Sequence, residues 1–396
     1  MPRYPFTPEV LDAMPEELEE LFRGLELRLL RDIAERLTKA GQLNEVTIAD
    51  IRALRSHGIS IDEIKKAISA TTKISEKKLD ALLDDVVAQN KQYYGQVMDV
   101  ANITAPQTLV DVADIDAISR QTLGAFRNIT QSMGFVVDAG RTLLPPAKAY
   151  QWALDSAVLQ MQSGAISYSQ AIANATRQLA DSGLKVVEYE SGRQDQVDVA
   201  VRRAVLTAEA QISDKYTEQS AEYLGTRYYE ISAHAGARDV DGVNGWENHK
   251  AWQGKVYYAS KHGERDPLGK YPDLVERTGL GYVDGLEGVN CRHRRYPWIE
   301  GVSERTYTDE ELENIDKPPF EYEGKKYTTY EATQKQRQIE NAIRHWKRRE
   351  AAATNEADTL TAKSRIAILQ RKYEDFSKKA GLRMQKERMN AYFPTK

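Results

Sequence analysis

The chain has 396 residues, enough for two or three domains with hydrophobic cores. Hydrophobic residues make up 41% and charged residues 29%, a mix typical of a folded chain with much solvated surface, which excludes a disordered protein. No apolar run approaches the length of about 18 residues that spans a membrane, so no membrane is required. The single cysteine, Cys291, excludes an intrachain disulfide. Residues 1–6 lack an apolar signal core, and we expect synthesis and folding in a reducing cytosol.

The two ends of the chain carry opposite charge. Residues 9–20 contain six acidic residues and no basic one. Residues 335–396 contain sixteen basic residues against seven acidic ones, an excess of nine positive charges. This asymmetry suggests two different partners, one at each end.

The first 224 residues predict one helix after another. Apolar residues recur at steps of three and four between residues 15 and 37, which is the period of a helix with one buried face. Further helices are expected from Ser75 to about residue 94, then, in order, over residues 118–133, 141–163, 167–183 and 192–224. The last would be a rod of roughly 50 Å. A rod of that length requires neighbours, so we expect a bundle or a partner protein.

The composition changes after residue 224. Residues 234–298 hold ten of the 24 glycines, three of the five tryptophans, four of the six histidines and the only cysteine. Two short strands are predicted, at residues 228–232 and 255–258, with glycine-rich turns between them. We therefore expect a small α+β module over residues 225–300.

Residues 301–396 begin with a linker. A hairpin is predicted around Gly324, followed by basic helices over residues 329–352 and 356–380. The predicted fold is therefore mainly α: a long helical N-terminal region (residues 1–224), the α+β module, and a basic helical C-terminal region with a short hairpin (residues 301–396).

The module contains four candidate metal ligands: His234, His249, Cys291 and His293. One thiolate and three imidazoles can form a tetrahedral zinc site. The Cys-x-His spacing places Cys291 and His293 on one side of an extended strand, where both can reach one ion. Alternatively, these side chains form hydrogen bonds with backbone in a loop-rich core and need no ion. Both interpretations remain open at the level of sequence.

A catalytic role for the module is the alternative hypothesis. Cys291 with His293 or His249 could act as a nucleophile and its base, and a histidine with Glu247 or Asp241 could serve a nuclease. The sequence contains no nucleophile elbow, phosphate-binding loop or paired-carboxylate motif that would support a nuclease or transferase. We therefore predict that the protein is not an enzyme.

Aromatic and arginine side chains in the module have two interpretations each. Trp246, Trp252 and Trp298 could stack on bases, but a glycine-rich module also requires large aromatic residues to fill its core, which we favour. The arginines beside the cysteine could contact phosphate, or could be a solvated strand edge: Arg292, Arg294 and Arg295.

The basic C-terminal helices are candidates for contact with nucleic acid. Basic residues on such a surface neutralise phosphates without recognising sequence. Interspersed glutamates make an ordinary solvated helix surface the competing interpretation. The candidate phosphate-binding residues are Arg344, Lys347, Arg348, Arg349, Arg371, Lys372, Lys378 and Lys379.

Three motifs in the module carry a resemblance to a known family. They are residues 232–238 (Ser-Ala-His-Ala-Gly-Ala-Arg), residues 249–256 (His-Lys-Ala-Trp-Gln-Gly-Lys-Val) and residues 290–293 (Asn-Cys-Arg-His). Together with residues 189–193 and 201–205, this pattern resembles the minor capsid proteins of tailed phages (minor capsid protein 2 type), which are related to head-morphogenesis proteins of the Mu F type. We expect Trp252, Gln253, Gly254 and Asn290, from these motifs, to form the core of the module. Many relatives have a second cysteine at the position of His293, and both side chains can bind a metal.

The resemblance implies a structural protein inside the phage head, made in the host cytoplasm. It implies few copies near the portal vertex, with the portal protein and head proteins as partners and packaged double-stranded DNA as a further partner. The N-terminal helical region would then dock on the portal or another head protein, with Tyr4, Phe6 and Val10 beside the acidic helix as candidates for that contact. Zinc is the one cofactor that the residues suggest.

Overall fold

A computed structural model describes residues 4–42, 61–138, 142–162, 166–187, 192–261, 263–288 and 291–393. The predicted core residue Asn290 and the motif residues 189–191 lie outside the described residues. The architecture is mainly α with a small α+β portion, which confirms the predicted fold class. Across the described ranges, every helix is too short or too polar to cross a bilayer.

The chain divides into two compact units, each built from three separate stretches. The first unit comprises Met1–Pro15, Leu79–Leu123 and Arg203–Lys335. The second unit comprises Glu16–Lys78, Gly124–Arg202 and Gln336–Lys396. The sequence predicts three consecutive regions instead, and that functional division stays a prediction.

The elements follow in chain order. The N-terminal half contains α1 (Pro8–Ala13), α2 (Glu16–Gln42), α3 (Ile61–Val100), α4 (Val112–Ser132), β1 (Gly134–Val137), β2 (Thr142–Leu144), α5 (Pro146–Gln162), α6 (Tyr168–Ser182), β3 (Leu184–Val187), β4 (Gln194–Gln196) and α7 (Val197–Tyr223). The remainder contains β5 (Tyr228–Ile231), α8 (His249–Trp252), β6 (Val256–Tyr258), α9 (Leu274–Thr278), β7 (Arg295–Trp298), α10 (Asp309–Glu313), β8 (Phe320–Tyr322), β9 (Lys325–Tyr327), α11 (Thr329–Ala351), α12 (Glu356–Ala380) and a 3₁₀ turn (Lys386–Met389).

Local capping explains where the helices begin and end. Ser167 accepts a hydrogen bond from the Gln170 amide at 3.3 Å and starts α6, and Gly183, with φ of +67°, ends it, as the sequence predicts. The predicted start of a helix at Ser75 is wrong. Ser75 is buried inside the 40-residue helix α3 and its hydroxyl donates to the Thr72 carbonyl at 2.8 Å. A serine bonded to the preceding turn is compatible with the interior of a helix.

A four-stranded antiparallel sheet in the second unit corrects the prediction that residues 1–224 are helical throughout. Its strand order is β2-β1-β3-β4. The predicted helices over residues 141–163 and 192–224 each begin with one of its strands, β2 and β4. All four residues of β1 are buried, so the strand is a short apolar run without alternation, which sequence cannot distinguish from a helix end.

The sheet of the first unit has the order β6-β5-β7, with antiparallel pairing on both sides of β5. These strands confirm the two predicted at residues 228–232 and 255–258. The hydrophobic cluster beside the sheet combines strand, loop and helix residues: Ala221, Tyr229, Ile231, Trp252, Tyr257, Leu274, Leu286 and Cys291. The lone cysteine of the chain therefore lies in the core of this unit.

The predicted hairpin around Gly324 is present. Strands β8 and β9 pair with Tyr322 opposite Lys325. The two residues of the turn, Glu323 and Gly324, have φ of +49° and +76°. Two successive positive φ angles define the type I′ turn that matches the twist of paired strands.

A buried ion pair in the first unit joins α7 to the residues that precede β7. The guanidinium of Arg294 donates from Nε to Glu209 Oε2 at 3.1 Å and forms a second bond from its Nη2. Glu209 also accepts from the Ser213 hydroxyl at 2.9 Å, and that hydroxyl accepts from the side-chain amide of Asn90 at 3.1 Å. All four side chains are buried. Burial opposes the charge on Arg294, but Glu209 outweighs it and raises the pKa of Arg294 above its usual value.

We expect Glu209→Gln to lower the free energy of unfolding of this unit by about 3–5 kcal/mol, because it leaves the Arg294 charge buried without a counter-charge. Urea unfolding followed by tryptophan fluorescence measures the change. Glu218→Gln is the matched control, since Glu218 lies on the same helix and its exposed carboxylate is 3.5 Å from Arg295. That change should cost less than about 1 kcal/mol. Equal effects of the two substitutions would contradict the structural role of the buried pair.

Candidate metal centre

Arg294 continues the pairing of β5 and β7 by one residue beyond the strands. The Ser232 amide donates to the Arg294 carbonyl at 2.9 Å, and the Arg294 amide donates to the Ser232 hydroxyl at 2.9 Å. The Cys291 thiol and the His293 imidazole lie close together, while the Arg294 guanidinium faces Glu209. The fold thus directs the thiol and the imidazole toward the same space.

Three of the four predicted metal ligands meet there. A ring nitrogen of His249, a ring nitrogen of His293 and the Cys291 sulfur all lie within 4.8 Å of one another. The Cys291 Sγ is 3.6 Å from His293 Nδ1. All three residues are buried: His249 is 3% exposed, His293 is 1% exposed and Cys291 is 6% exposed. We call these three residues the CHH cluster.

The second nitrogen of each histidine in the CHH cluster has its own partner. His293 Nε2 lies 3.0 Å from the Gln253 side-chain oxygen, and His249 Nε2 lies 2.9 Å from the Asp284 carbonyl. Both partners can only accept, so each Nε2 carries the hydrogen. Each Nδ1 therefore retains its lone pair, which is the form of imidazole that binds metals.

His234 lies beside the CHH cluster and not within it. Its ring stacks on the His293 ring, with centroids 4.5 Å apart and planes at 22°. Its Nδ1 donates to the Ala235 carbonyl at 2.9 Å. The structure therefore brings together His249, Cys291 and His293 and gives His234 a packing position.

Burial controls the protonation of these groups. It lowers the pKa of His249 to about 4 and that of His234 to about 3, and lowers the pKa of His293 well below its usual value. Burial also raises the pKa of the Cys291 thiol. The imidazoles are therefore neutral, and the ion-free cluster does not contain the exposed thiolate that a cysteine nucleophile requires.

Two of the residues predicted for the module core, Trp252 and Gln253, contact the CHH cluster. Trp252 is buried, with its ring centroid 4.6 Å from that of His249 and 4.8 Å from that of His293. Gln253 accepts from both His293 and the His234 amide at 3.0 Å. Gly254 has φ of +67°, and a Cβ there would approach a Leu312 methyl carbon to 2.3 Å. These contacts favour the core interpretation of Trp252 over a surface for stacking bases.

The arginines beside the cysteine have internal partners in the first unit. Arg292 pairs with Asp12 at 2.9 Å, Arg294 pairs with Glu209, and Arg295 pairs with Asp214. Their side chains are at most one-fifth exposed. They therefore act in folding and are not an exposed phosphate-binding surface.

The N-terminal segment also packs within the first unit. Tyr4 stacks on Tyr296 with centroids 5.7 Å apart, and Phe6 is fully buried. Tyr4 and Phe6 are therefore not part of an exposed docking surface.

The eight basic candidates in the second unit separate into two groups. The four on α11 are bound to other residues of that unit: Arg344 to Asp198 at 3.0 Å, Lys347 to the Met389 carbonyl at 2.6 Å, Arg348 to the Ala180 carbonyl at 3.0 Å, and Arg349 to Asp181. The four on α12 are more accessible: Arg371, Lys378 and Lys379 are exposed, and Lys372 is partly buried. An arginine that neutralises a buried carboxylate is unavailable for phosphate, so α12 is the better candidate surface.

Comparison with known proteins establishes the family of the chain. The model of the family described as phage minor capsid protein 2 matches residues 6–378. The chain belongs to this family. A structural protein of Lactococcus phage LL-H is 23% identical over 359 residues, which cover 89% of this chain and 90% of that protein. A structural protein of Lactococcus phage mv4 is 34% identical over 106 residues, which cover 26% of this chain and 75% of that protein.

Membership of the phage minor capsid protein 2 family confirms the predicted resemblance. The chain is a structural phage protein of the minor capsid class. No solved structure matches the chain.

Two residues that organise the site in this minor capsid protein were missed in the sequence. The Asp284 carbonyl has no sequence signature, because any residue supplies a backbone oxygen. Glu209 does have one. It lies between Val205 and Ile212 on the buried stripe of α7, and an acidic residue on an apolar stripe indicates a buried charge partner.

We expect the Cys291 thiol of the folded, chelator-treated chain to react very slowly with a soluble thiol reagent, because the sulfur is buried and protonated. Ser364→Cys provides a control in the same molecule, since Ser364 is exposed on α12. Colorimetric titration should show one fast thiol in the variant, none in the parent, and both thiols only in urea. Fast reaction of the parent chain would contradict the buried position of Cys291.

Proposed function

We propose that this minor capsid protein is a component of the head interior near the portal vertex. In that position, the exposed face of α12 contacts packaged double-stranded DNA. Family membership supports a role in the phage head. The motifs shared with tailed-phage minor capsid proteins support the position near the portal, with the portal protein and head proteins as partners.

The observation that carries the DNA contact is the charge of α12. Lys363, Arg371 and Lys378 are all exposed and are separated by eight and seven residues. These spacings place the three side chains on one face, roughly 10–12 Å apart along the helix axis. Positive charges in such a row bind the phosphate backbone without contacting base edges.

The acidic residues of α12 limit this surface without removing it. From Leu360 to Ala380 the helix carries six basic residues and two acidic ones, Glu374 and Asp375. Asp375 pairs with Lys379 at 3.0 Å. The remaining positive charge suits an interaction that depends on electrostatic attraction and tolerates any DNA sequence.

The triple substitution Lys363→Ala, Arg371→Ala and Lys378→Ala should weaken binding of the full chain to duplex DNA. Removing one phosphate-binding charge should reduce the slope of log affinity against log salt concentration by about 1, so we expect the triple variant to reduce it by about 3. Fluorescence anisotropy at several salt concentrations measures the slope.

Lys65→Ala, Lys66→Ala and Lys77→Ala form the matched control, because these exposed lysines lie on α3 and their substitution removes the same net charge. The control should keep the parent slope. Equal slopes for the two triple variants, or no binding by the parent chain, would contradict the role of α12. Removal of residues 335–396 is a poor test, because that stretch supplies part of the second unit.

The position in the head has a separate test. We expect the protein to co-sediment with purified heads in few copies per particle, and to be missing from heads assembled without the portal protein. Quantitative mass spectrometry of both particles measures the copy number. Absence from complete particles would exclude a head component, and equal amounts in portal-free heads would exclude a position that depends on the portal.

A further inference from the structure

We propose that the CHH cluster binds one zinc ion through Cys291 Sγ, His293 Nδ1 and His249 Nδ1. The ion would join α8 to the Cys291–His293 segment and so close the glycine-rich loops between them. Within the ranges that the structure describes, these three side chains form the one group of three or more His, Cys, Asp or Glu residues whose ligand atoms lie close enough to hold a metal ion. A small ligand such as water completes the tetrahedron in this arrangement.

The first support is the distance between sulfur and nitrogen. Zinc binds thiolate sulfur at about 2.3 Å and imidazole nitrogen at about 2.0–2.1 Å, which at a tetrahedral angle places the two atoms about 3.6 Å apart. The Cys291 Sγ to His293 Nδ1 distance is 3.6 Å. The distance between these two atoms therefore matches the one expected for two ligands of a tetrahedral zinc ion.

The second support is the arrangement of the two rings. Two imidazoles on one tetrahedral zinc have centroids about 5.2 Å apart, because each centroid lies about 3.2 Å from the ion. The His249 and His293 centroids are 5.4 Å apart, with planes at 63°. His234, by contrast, is stacked nearly parallel to His293 at 4.5 Å, which prevents the two rings from pointing at one ion.

The third support is the hydrogen bond that the other ring nitrogen of each histidine forms. A metal-binding histidine usually donates its other ring N–H to a carbonyl or carboxylate oxygen, which fixes its orientation. His293 donates to Gln253 and His249 donates to the Asp284 carbonyl. Gln253 is therefore a positioning residue for the site.

The ligand types of the CHH cluster favour zinc over harder cations. One thiolate and two imidazoles are typical zinc ligands, whereas magnesium and calcium prefer oxygen. When the ion binds, the S–H bond of Cys291 breaks and its proton leaves to solvent, together with the water molecules that the three side chains replace on the ion.

The first experiment uses the unaltered full chain. After treatment with a chelator, it is titrated with zinc alone and separately with cobalt(II), which reports a bound thiolate by its charge-transfer absorption. We expect one metal per chain, a charge-transfer band, and a rise in the melting temperature that the chelator reverses. No cobalt band, or no stoichiometric zinc, would overturn the proposal whatever the variants do.

Variants then test the assignment of each residue. Cys291→Ser should remove the charge-transfer band, and His249→Ala should abolish binding at one equivalent. Gln253→Met should weaken zinc binding roughly 10–100-fold while keeping the band, as expected for a residue that orients a ligand by a hydrogen bond and does not itself bind the ion. Circular dichroism checks that each variant folds.

His234→Phe is the matched control. The phenyl ring retains the stacking on His293 but has no nitrogen, so we expect zinc affinity within a few-fold of the parent. His345→Ala is a second control, because His345 lies on α11 in the second unit. Loss of binding in His234→Phe would overturn the three-residue site and favour the four-ligand set that the sequence suggests.

Discussion

The first unit depends on the buried ion pair between Arg294 and Glu209. A charge taken out of water is costly unless it is paired and its remaining hydrogen-bonding groups are satisfied. Arg294 meets that condition by also donating to the His293 carbonyl at 2.8 Å, and Glu209 meets it by accepting from Ser213. The pair therefore fixes the backbone at His293 against α7.

The position of the CHH cluster follows from this constraint. While Arg294 is directed toward Glu209 of α7, the side chains of His293 and Cys291 lie close to His249 of α8. Gln253 then orients His293, and the Asp284 carbonyl orients His249. The ion pair thus holds the backbone at His293, one of the three candidate metal ligands, through the bond from Arg294 to the His293 carbonyl.

Features that depend only on neighbouring residues follow from the sequence. The cap at Ser167, the turn at Gly324 and the Cys291-x-His293 spacing each depend on neighbouring residues, and each is as predicted. Pairings between distant residues were not accessible. The strand β1 was missed because a four-residue buried run shows no period, and the role of α11 was missed because the sequence does not show that Asp198 faces Arg344.

The two basic helices show why charge alone did not locate the candidate DNA surface. Arg344 on α11 neutralises a buried carboxylate, and together with Arg23 it lowers the pKa of Asp198 below its usual value although burial opposes this. The basic residues of α12 are more exposed, yet the two helices look equally basic in the sequence. Only the contacts in the folded structure distinguish basic side chains that stabilise the fold from basic side chains that are able to bind a phosphate backbone. In this minor capsid protein, the three residues of the CHH cluster are buried, and the exposed lysines and arginines of α12 are the candidates for contact with DNA.

X-ray absorption spectroscopy at the zinc edge on the zinc-loaded full chain reports the atoms bound to the ion, and so tests whether Cys291, His249 and His293 are its ligands. We expect one sulfur at about 2.3 Å and two imidazole nitrogens at about 2.0–2.1 Å, with one further nitrogen or oxygen completing the shell. A shell of oxygen and nitrogen without sulfur would contradict it, because Cys291 would then form only hydrogen bonds within the core.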